Sequence, residues 1–260
     1  MDDLFDSRRH IKIDGIYNLR DIGGYRTRDN RRTRWRAFFR SDSPHRLTPE
    51  AQATLLSHGI KTVVDFRDYS HKSQWEYRLG ENAAARYVHL DLLGERLLAD
   101  WLALEEQNGG RLLGNQVKTL TAMYRRTIDE RQEQIAATMS ALARPGAMPA
   151  MVHCVVGKDR TGLVSALSLG LVGVPEETIA QDYALSGRCL VESYHTYIKP
   201  PGLTPATYTW EHYQRDFCPP EVMLSTLDHI IKTYGGVAEY LLTAGVTEQQ
   251  LNTLRRALVE

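Results

Sequence analysis

The feature that most constrains this sequence is a cysteine between a short apolar run and a long helical pattern. Ala150–His153 (AMVH) follows a proline and is typical of a buried central strand. Residues 161–173 are small, apolar and periodic, and they predict a buried helix. The segment between them, residues 154–160, reads CVVGKDR. Cys154 and Arg160 are therefore the first and last residues of a short strand-to-helix loop.

A loop of this kind predicts a binding site for an anion. When a short loop leaves a strand and enters a helix, its backbone N–H groups can turn inward, and the positive end of the helix adds to them. Gly157 and Gly162 permit tight turns and a close approach of the backbone. We expect the phosphate-binding residues to be those between the cysteine and the helix: Val155, Val156, Gly157, Lys158, Asp159 and Arg160.

The residue types at the ends of the loop predict phosphoryl transfer. A cysteine beside a helix terminus and an arginine ionises readily. We expect Cys154 to attack phosphorus as a thiolate and to form a phosphocysteine intermediate. Arg160 offers a planar fork that matches two phosphate oxygens, and Thr161 can donate its hydroxyl to the thiolate. Because these donors stabilise the charge of the transition state, the reaction needs neither a metal nor a cofactor.

The rest of the chain predicts an α/β fold, with a mainly parallel central sheet flanked by helices. Further strands are expected near Trp35–Phe39, at Ile60–Phe66 and at Arg86–Leu92. Helical spacing is found at residues 49–58, 95–106, 115–140, 175–186, 188–199, 220–234 and 247–258. A chain of 260 residues fits one domain, 1–260. Residues 91–148 lack a convincing strand and predict a helical insertion, either packing helices or a mobile lid.

Composition limits the partners and the compartment. Lys plus Arg equals Asp plus Glu at 32 each, so we expect no nucleic-acid partner. No uncharged run is long enough to span a bilayer, so we expect no stable membrane insertion. The charges near the N-terminus leave no room for a signal peptide, so we expect a cytoplasmic protein, with leaderless secretion left open. The oligomeric state is not predicted.

Three cysteines, Cys154, Cys189 and Cys218, form no CxxC pair. This count predicts neither a structural zinc site nor a disulfide scaffold, and favours free thiols in a reducing compartment. Cys189 and Cys218 are interpreted as buried thiols. The alternative is that one of them protects Cys154 from oxidation by forming a disulfide with it.

The segment HCVVGKDRTG, residues 153–162, resembles the signature loop H-C-x5-R-[ST]-G of the protein tyrosine phosphatase superfamily. It is most similar to the loop of the atypical bacterial tyrosine phosphatases, which also hydrolyse phosphoinositides. Three further segments resemble motifs of that family in the same order: NLRDIGG at residues 18–24, DFR at 65–67 and YGGVAEYL at 234–241. The resemblance extends over about residues 16 to 245.

The resemblance implies a fold, a substrate class and residue roles. It implies the tyrosine phosphatase fold and phosphorylated proteins or phosphoinositides as substrates. Cys154 matches the nucleophile and Arg160 the phosphate-binding arginine, and His153 matches the histidine that helps to hold the thiolate. Lys158 and Asp159 match the pair that distinguishes the bacterial family. Supporting roles fall to Arg20 and Arg67, which lie in the two N-terminal motifs.

The general acid is not fixed by the pattern. Many relatives use an aspartate on a separate loop about 30 residues before the cysteine, but here the acids near that distance lie in a predicted helix. We favour Asp159, inside the loop, and place Asp65, at a strand end, second. The alternative for either residue is a structural carboxylate that orients Arg160 or Arg67.

Two other segments of the sequence admit a functional and a structural interpretation. The seven arginines of residues 26–40 predict either a positively charged entrance to the site, suited to acidic substrates, or a solvated hairpin. We favour the hairpin. The aromatic residues of 193–213 predict core packing more than a substrate-binding rim. A phosphate-binding module with an inactive loop, a nucleic-acid binder that uses the arginine run, and a sulfur-transfer or arsenate-reducing enzyme are the competing functions.

Overall fold

The computed structural model describes residues 6–74, 85–107, 117–199 and 201–260. Its centre is a five-stranded sheet with the order β1-β2-β5-β3-β4. The strands are β1 (Arg20–Asp21), β2 (Phe38–Ser41), β3 (Thr62–Asp65), β4 (Arg86–His89) and β5 (Ala150–His153). Among these strands only β1 runs antiparallel to its neighbour. The predicted α/β fold with a mainly parallel sheet is confirmed.

Helices flank the sheet and account for most of the remaining described chain. They are α1 (Pro49–Leu56), α2 (Tyr69–Gln74), α3 (Gly94–Gln107), α4 (Val117–Glu130), α5 (Gln132–Leu142), α6 (Asp159–Leu171), α7 (Glu176–Ala184), α8 (Ser186–Ser193), α9 (Trp210–Phe217), α10 (Pro220–Tyr234), α11 (Val237–Thr243) and α12 (Glu248–Leu258). Short 3-10 and π-helical turns lie at Pro44–Arg46 and Tyr194–Ile198. Within the described ranges, no helix has the length and apolar character needed to cross a membrane.

One predicted helix differs from the observed structure, and three observed helices were not predicted. The helix expected over residues 115–140 is two helices, because Arg131 leaves the helical conformation with φ −118° and ψ 30°. Its first two positions, 115 and 116, lie outside the described residues. α9 occupies a segment for which no helix was predicted, although Thr209 and His212 form a capping box at its start. The short helices α2 and α11 were also not predicted.

The three central strands, β2, β3 and β5, are buried on both faces, which explains why apolar residues are adjacent in each of them. Successive side chains of a strand point to opposite faces. Val63 and Met151 accordingly belong to one apolar cluster, and Val64 and Val152 belong to the other. Because β5 lies between β2 and β3, the chain leaves it in the middle of the carboxyl edge of the sheet. Ligands of parallel α/β sheets bind at this edge.

The described part of region 91–148 consists of α3, α4, α5 and their connections, with no strand. Trp101, Tyr124 and Ile135 from these helices are buried in the main core. The region is thus helical, and its buried side chains share the core of the sheet. That it acts as a mobile lid stays a prediction.

Candidate active site

Residues 154–160, the Cys–Arg loop, connect the end of β5 to the start of α6 at Asp159. Cys154 is a free cysteine and is 1% exposed. β2 and β3 run parallel to β5 on its two sides, so the segments that follow Ser41 and Asp65 leave the sheet at the same edge. Three segments that are distant in the sequence therefore meet around the cysteine.

The loop is packed tightly against the end of β2. Gly157 has φ +68°, and a Cβ atom there would lie 2.3 Å from the carbonyl oxygen of Ser41. The position accordingly requires glycine for both its conformation and its space. The backbone N–H of Ser43 donates to the carbonyl oxygen of Val155 at 3.0 Å. These contacts fix the curvature of the loop.

The backbone groups of the loop are divided between support and binding. Asn18 donates from Nδ2 to the carbonyl oxygen of Val156 at 2.9 Å, and Arg40 donates from Nη2 to that of Gly157 at 2.9 Å. No described residue accepts a hydrogen bond from the backbone N–H groups of residues 155 to 160. The carbonyl oxygens of Val156 and Gly157 are thus bound by side chains. The backbone N–H groups of residues 155 to 160 have no acceptor among the described residues and lie at the N-terminus of α6. This arrangement suits an anion.

A buried ion cluster stands behind the loop. Arg40 Nη1 lies 2.6 Å from Asp182 Oδ2, and Arg20 Nε lies 3.7 Å from Asp182 Oδ1. Burial opposes ionisation of Asp182, but the two guanidinium groups outweigh it and lower the pKa of its carboxyl to about 2. Arg20 also donates from Nη1 to Asn18 Oδ1. Arg20, a predicted supporting residue, is therefore connected to the loop through Asn18 and, by way of Asp182, through Arg40.

Arg160 lies in the first turn of α6 and is 9% exposed. Its Nη1 donates to the carbonyl oxygen of Phe66 at 3.2 Å and lies 3.5 Å from Asp68 Oδ2. These two contacts come from the segment after β3, so they orient the guanidinium from one side. Cys154 and Arg160 lie at the two ends of the short loop between β5 and the first turn of α6.

Asp65 lies at the end of β3 and is fully buried. Its carboxylate accepts hydrogen bonds from Arg67 Nη2 at 2.8 Å and from the Tyr87 hydroxyl at 2.7 Å, and it lies 3.8 Å from His153 Nε2. Burial opposes its ionisation, but the charge of His153 and the bonds from Arg67 prevail and lower the pKa of Asp65 to about 2. Asp65 is thus a firmly held carboxylate.

Asp159 is the first residue of α6, and its side chain is 17% exposed. Its Oδ1 accepts a hydrogen bond from the Tyr124 hydroxyl at 2.6 Å and lies 3.4 Å from Lys158 Nζ. The Tyr183 hydroxyl lies 3.0 Å from that of Tyr124. Lys158 Nζ also donates to the carbonyl oxygen of Phe217 at 2.7 Å. The ammonium of Lys158 is therefore hydrogen-bonded to the last residue of α9.

His153 and Thr161 lie next to the loop at its two ends. His153 is fully buried, and its Nδ1 lies 3.1 Å from the carbonyl oxygen of Cys154. Burial lowers the pKa of His153. The Thr161 hydroxyl is buried and has no hydrogen-bond partner among the described residues. It is therefore available to donate to the thiolate of Cys154, the role expected for it from the sequence.

Sequence reasoning missed four residues that shape the site: Asn18, Arg40, Asp68 and Tyr124. Arg40 gave a signal, because it is a charged residue at the end of an apolar strand beside the loop. Asn18 is the first residue of the NLRDIGG segment but was given no role of its own, and Asp68 and Tyr124 gave no signal, since their contacts depend on how distant segments meet. In the described part of the chain, no group of His, Cys, Asp and Glu side chains could hold a metal ion.

The arginine run and the aromatic segment have mainly structural contacts. Arg28 pairs with Glu176, and Arg31 pairs with Asp29 at 2.6 Å, both at the surface. Only the last arginine of the run, Arg40, supports the loop. In the aromatic segment, Tyr194, Tyr208 and Tyr213 are buried in the main core, so the packing interpretation is confirmed. The exposed Tyr197 is an exception.

The fold and the loop together define a phosphatase. The sequence model described as the tyrosine phosphatase family matches residues 11–260. This chain belongs to the tyrosine phosphatase family.

Curated relatives agree with the assignment. The chain is 25% identical to a tyrosine-protein phosphatase of Nostoc commune, over 84% of this chain and 73% of that one. It is 26% identical to the triple specificity protein phosphatase PtpB of Mycobacterium tuberculosis, over 95% and 98%. A putative tyrosine-protein phosphatase of Cupriavidus necator is 29% identical over 70% and 64%.

Proposed function

We propose that this chain hydrolyses phosphotyrosine through a phosphocysteine intermediate, with Cys154 as the nucleophile and Arg160 as the phosphate clamp. The observation that carries the proposal is the Cys–Arg loop, which leads into the N-terminus of α6 and whose backbone N–H groups at residues 155–160 have no acceptor among the described residues. The carbonyl oxygens of Val156 and Gly157 are bound by Asn18 and Arg40 on the supporting side. A phosphate dianion is the ligand that complements these donors.

The first step transfers the phosphoryl group to sulfur. The Cys154 thiolate attacks phosphorus in line, the S–P bond forms, and the bond from phosphorus to the ester oxygen breaks. Negative charge on the equatorial oxygens is met by the loop N–H groups and by the fork of Arg160. Thr161, whose buried hydroxyl has no other partner among the described residues, stabilises the thiolate before the attack and after its release. In the second step, water attacks phosphorus and the S–P bond breaks.

Asp159 is the group that protonates the leaving oxygen in this proposal. It lies in the loop itself, it is partly exposed, and the Tyr124 hydroxyl at 2.6 Å fixes its direction. Asp65 is the weaker candidate, because it is fully buried and bound by Arg67 and Tyr87. We assign Asp65 the role of holding Arg67 and His153 in place beside the loop.

The range of substrates is proposed to extend to phosphoserine, phosphothreonine and phosphoinositides. A relative that matches nearly the whole chain carries the name triple specificity protein phosphatase. Lys158 adds a positive charge within the loop, but its ammonium donates a hydrogen bond to the carbonyl oxygen of Phe217. Binding of a second phosphate by Lys158 would require that this hydrogen bond opens. We therefore place phosphotyrosine first among the substrates. Three free cysteines are consistent with a reducing, cytoplasmic location.

A leaving-group series tests the general acid. Asp159→Asn is expected to lower kcat for phenyl phosphate by about 100-fold and to affect p-nitrophenyl phosphate much less, since nitrophenolate leaves without a proton. Asp65→Asn is expected to slow both substrates by the same factor. If Asp65→Asn shows the selective loss and Asp159→Asn does not, the two roles are exchanged. If neither variant is selective, the assignment of a carboxylic acid is wrong.

A further inference from the structure

Asp42 is a buried carboxylate that the proposed reaction does not use. It is the first residue after β2 and is 5% exposed. Burial outweighs the hydrogen bonds that it accepts and raises the pKa of Asp42 to about 6, so the group is mainly ionised at neutral pH. Within the described chain, no Lys, Arg or His side chain forms a salt bridge with it. A buried charge without a counter-ion is rare, so its hydrogen bonds indicate a specific role.

The carboxylate of Asp42 binds the backbone just before β1. Its Oδ1 accepts hydrogen bonds from the N–H of Asn18 at 2.9 Å and from the N–H of Tyr17 at 3.1 Å, and its Oδ2 also lies 3.1 Å from the latter. Asp42 and Asn18 are 24 positions apart in the sequence. Hydrogen bonds to an ionised acceptor are stronger than those between neutral groups. The backbone at residues 17 and 18 is therefore fixed to the end of β2.

The side chain of Asn18 connects this backbone to the Cys–Arg loop. Its Nδ2 donates to the carbonyl oxygen of Val156, and its Oδ1 accepts from Arg20. Because one end of the amide donates and the other accepts, these two contacts fix its orientation. The short side chain keeps both contacts only while its own backbone stays in place. Asp42 therefore determines where the amide of Asn18 meets the loop.

The segment that carries Asp42 is itself in contact with the loop. The N–H of the next residue, Ser43, donates to the carbonyl oxygen of Val155 at 3.0 Å, and a Cβ atom on Gly157 would lie 2.6 Å from the backbone nitrogen of Asp42. In a trans peptide unit the C=O and the N–H point in opposite directions. The bound carbonyl of Val156 therefore sets the direction of the N–H of Gly157, which has no acceptor among the described residues.

We propose that Asp42 is a positioning residue of the Cys–Arg loop, which acts through Asn18 to direct the N–H of Gly157 to a bound phosphate group. The contacts run from the carboxylate to the backbone of Asn18, and from the amide of Asn18 to the carbonyl oxygen of Val156. The peptide unit between Val156 and Gly157 then carries the orientation to the N–H. This role deepens the proposed function and rests on it, since it requires that the loop binds phosphate.

Removal of the charge of Asp42 has opposite effects on anion binding in two cases. A carboxylate near an anion site repels the ligand, so anion binding becomes tighter when a carboxylate with no positioning role is neutralised. When a positioning carboxylate is neutralised, anion binding becomes weaker, because the donor that it directs is displaced. Asp42→Asn keeps the shape of the side chain and one acceptor oxygen, and removes the charge and the second acceptor. The direction of the change in anion affinity therefore distinguishes the two cases.

Calorimetry with the full chain and sulfate as the probe measures anion affinity without turnover, so the result is independent of whether hydrolysis occurs. We expect Asp42→Asn to weaken sulfate binding about tenfold, the effect of one lost hydrogen bond. KM for p-nitrophenyl phosphate should rise by a similar factor with kcat nearly unchanged, because the N–H binds phosphate before and during the reaction. The matched control is Asp21→Asn, which should change neither, since Asp21 is also buried and accepts backbone N–H bonds from Gly23 and Arg36. Sulfate binding by Asp42→Asn that is as tight as that of wild type, or tighter, would overturn the proposal.

A double-mutant cycle tests whether Asp42 acts through Asn18. Asn18→Ala should also weaken sulfate binding about tenfold, because the donor to Val156 is lost. The double variant should then bind sulfate about as weakly as either single variant, whereas separate effects would multiply to about 100-fold. Melting curves establish that each protein is folded, and Asp42→Ser replaces Asp42→Asn if the latter is not. A multiplied loss, or unchanged sulfate binding in Asn18→Ala, would overturn the proposal.

Discussion

Arg40 donates a hydrogen bond from Nη2 to the carbonyl oxygen of Gly157 at 2.9 Å, while its Nη1 pairs with Asp182. A lysine cannot serve both partners, because it presents a single ammonium where arginine presents a fork. We expect Arg40→Lys to raise KM for p-nitrophenyl phosphate about tenfold, which corresponds to the ~1.4 kcal/mol of one lost hydrogen bond. Arg28→Lys alters a surface ion pair and is the control. An unchanged KM in Arg40→Lys would show that the hydrogen bond from Arg40 to Gly157 does not contribute to substrate binding by the loop.

Gly157 is expected to tolerate no side chain. Alanine at φ +68° costs about 1–2 kcal/mol, and its Cβ would displace the carbonyl of Ser41 from a contact at 2.3 Å. A shift of the loop by that much should lower kcat/KM roughly 100-fold. Gly146→Ala is the matched control, since Gly146 also has a positive φ, +75°, but nothing lies within 4 Å of the added Cβ. Equal losses in both variants would mean that backbone strain alone, and not the loop contact, is responsible.

Tyr124 is expected to position Asp159. Tyr124→Phe removes the hydroxyl that donates to Asp159 Oδ1, so kcat for phenyl phosphate should fall about tenfold with KM nearly unchanged. Tyr240→Phe removes another buried hydroxyl, which bonds the carbonyl oxygen of Ile128 instead, and each change should cost about 1 kcal/mol of stability. Steady-state kinetics distinguish them. If the two variants lose kcat equally, the effect of Tyr124 is on stability only.

Asp65 is expected to contribute to stability in a pH-dependent way. Its pKa is lowered from 3.8 to about 2, so its contribution, about 2 kcal/mol, is fully present above pH 3.8 and is lost as the pH falls through about 2. Urea unfolding of Asp65→Asn should therefore show a lower free energy of unfolding at neutral pH and a smaller further loss on acidification than wild type.

The control for Asp65 is Asp228→Asn, which breaks an exposed ion pair with Lys232 and should change stability by less than about 1 kcal/mol. The pKa of Asp182 is also lowered to about 2, but Asp182 is present in wild type and in both variants. Its contribution to the pH dependence of stability is therefore the same in all three proteins. Only the difference between the curves of wild type and Asp65→Asn reports on Asp65. If the free energies of unfolding of wild type and of Asp65→Asn fall in parallel as the pH is lowered to about 2, Asp65 does not titrate as described.

The sheet and the loop could be predicted because their signals are local. The apolar runs of β3 and β5 and the periodicity of α6 determine where the Cys–Arg loop begins and ends. Gly157 could be recognised from the loop alone. Each of these inferences uses residues that are neighbours in the sequence.

The contacts that support the loop could not be predicted because the residues that make them are distant in the sequence. Asn18 and Val156 are 138 positions apart, and Arg40 and Asp182 are 142 apart. No periodicity connects such pairs. The break at Arg131 was missed for another reason, since residues 115–140 keep a helical apolar pattern through it.

The most direct test of the proposed reaction is hydrolysis of p-nitrophenyl phosphate in the presence of EDTA, with wild type beside Cys154→Ser. Matching melting curves would establish that both proteins are folded. We expect wild type to turn over the substrate at an undiminished rate in EDTA, and Cys154→Ser to fall to background, because the serine hydroxyl is not ionised in the loop. Turnover by Cys154→Ser at a rate close to that of wild type, or loss of wild-type activity in EDTA, would contradict a metal-free cysteine mechanism.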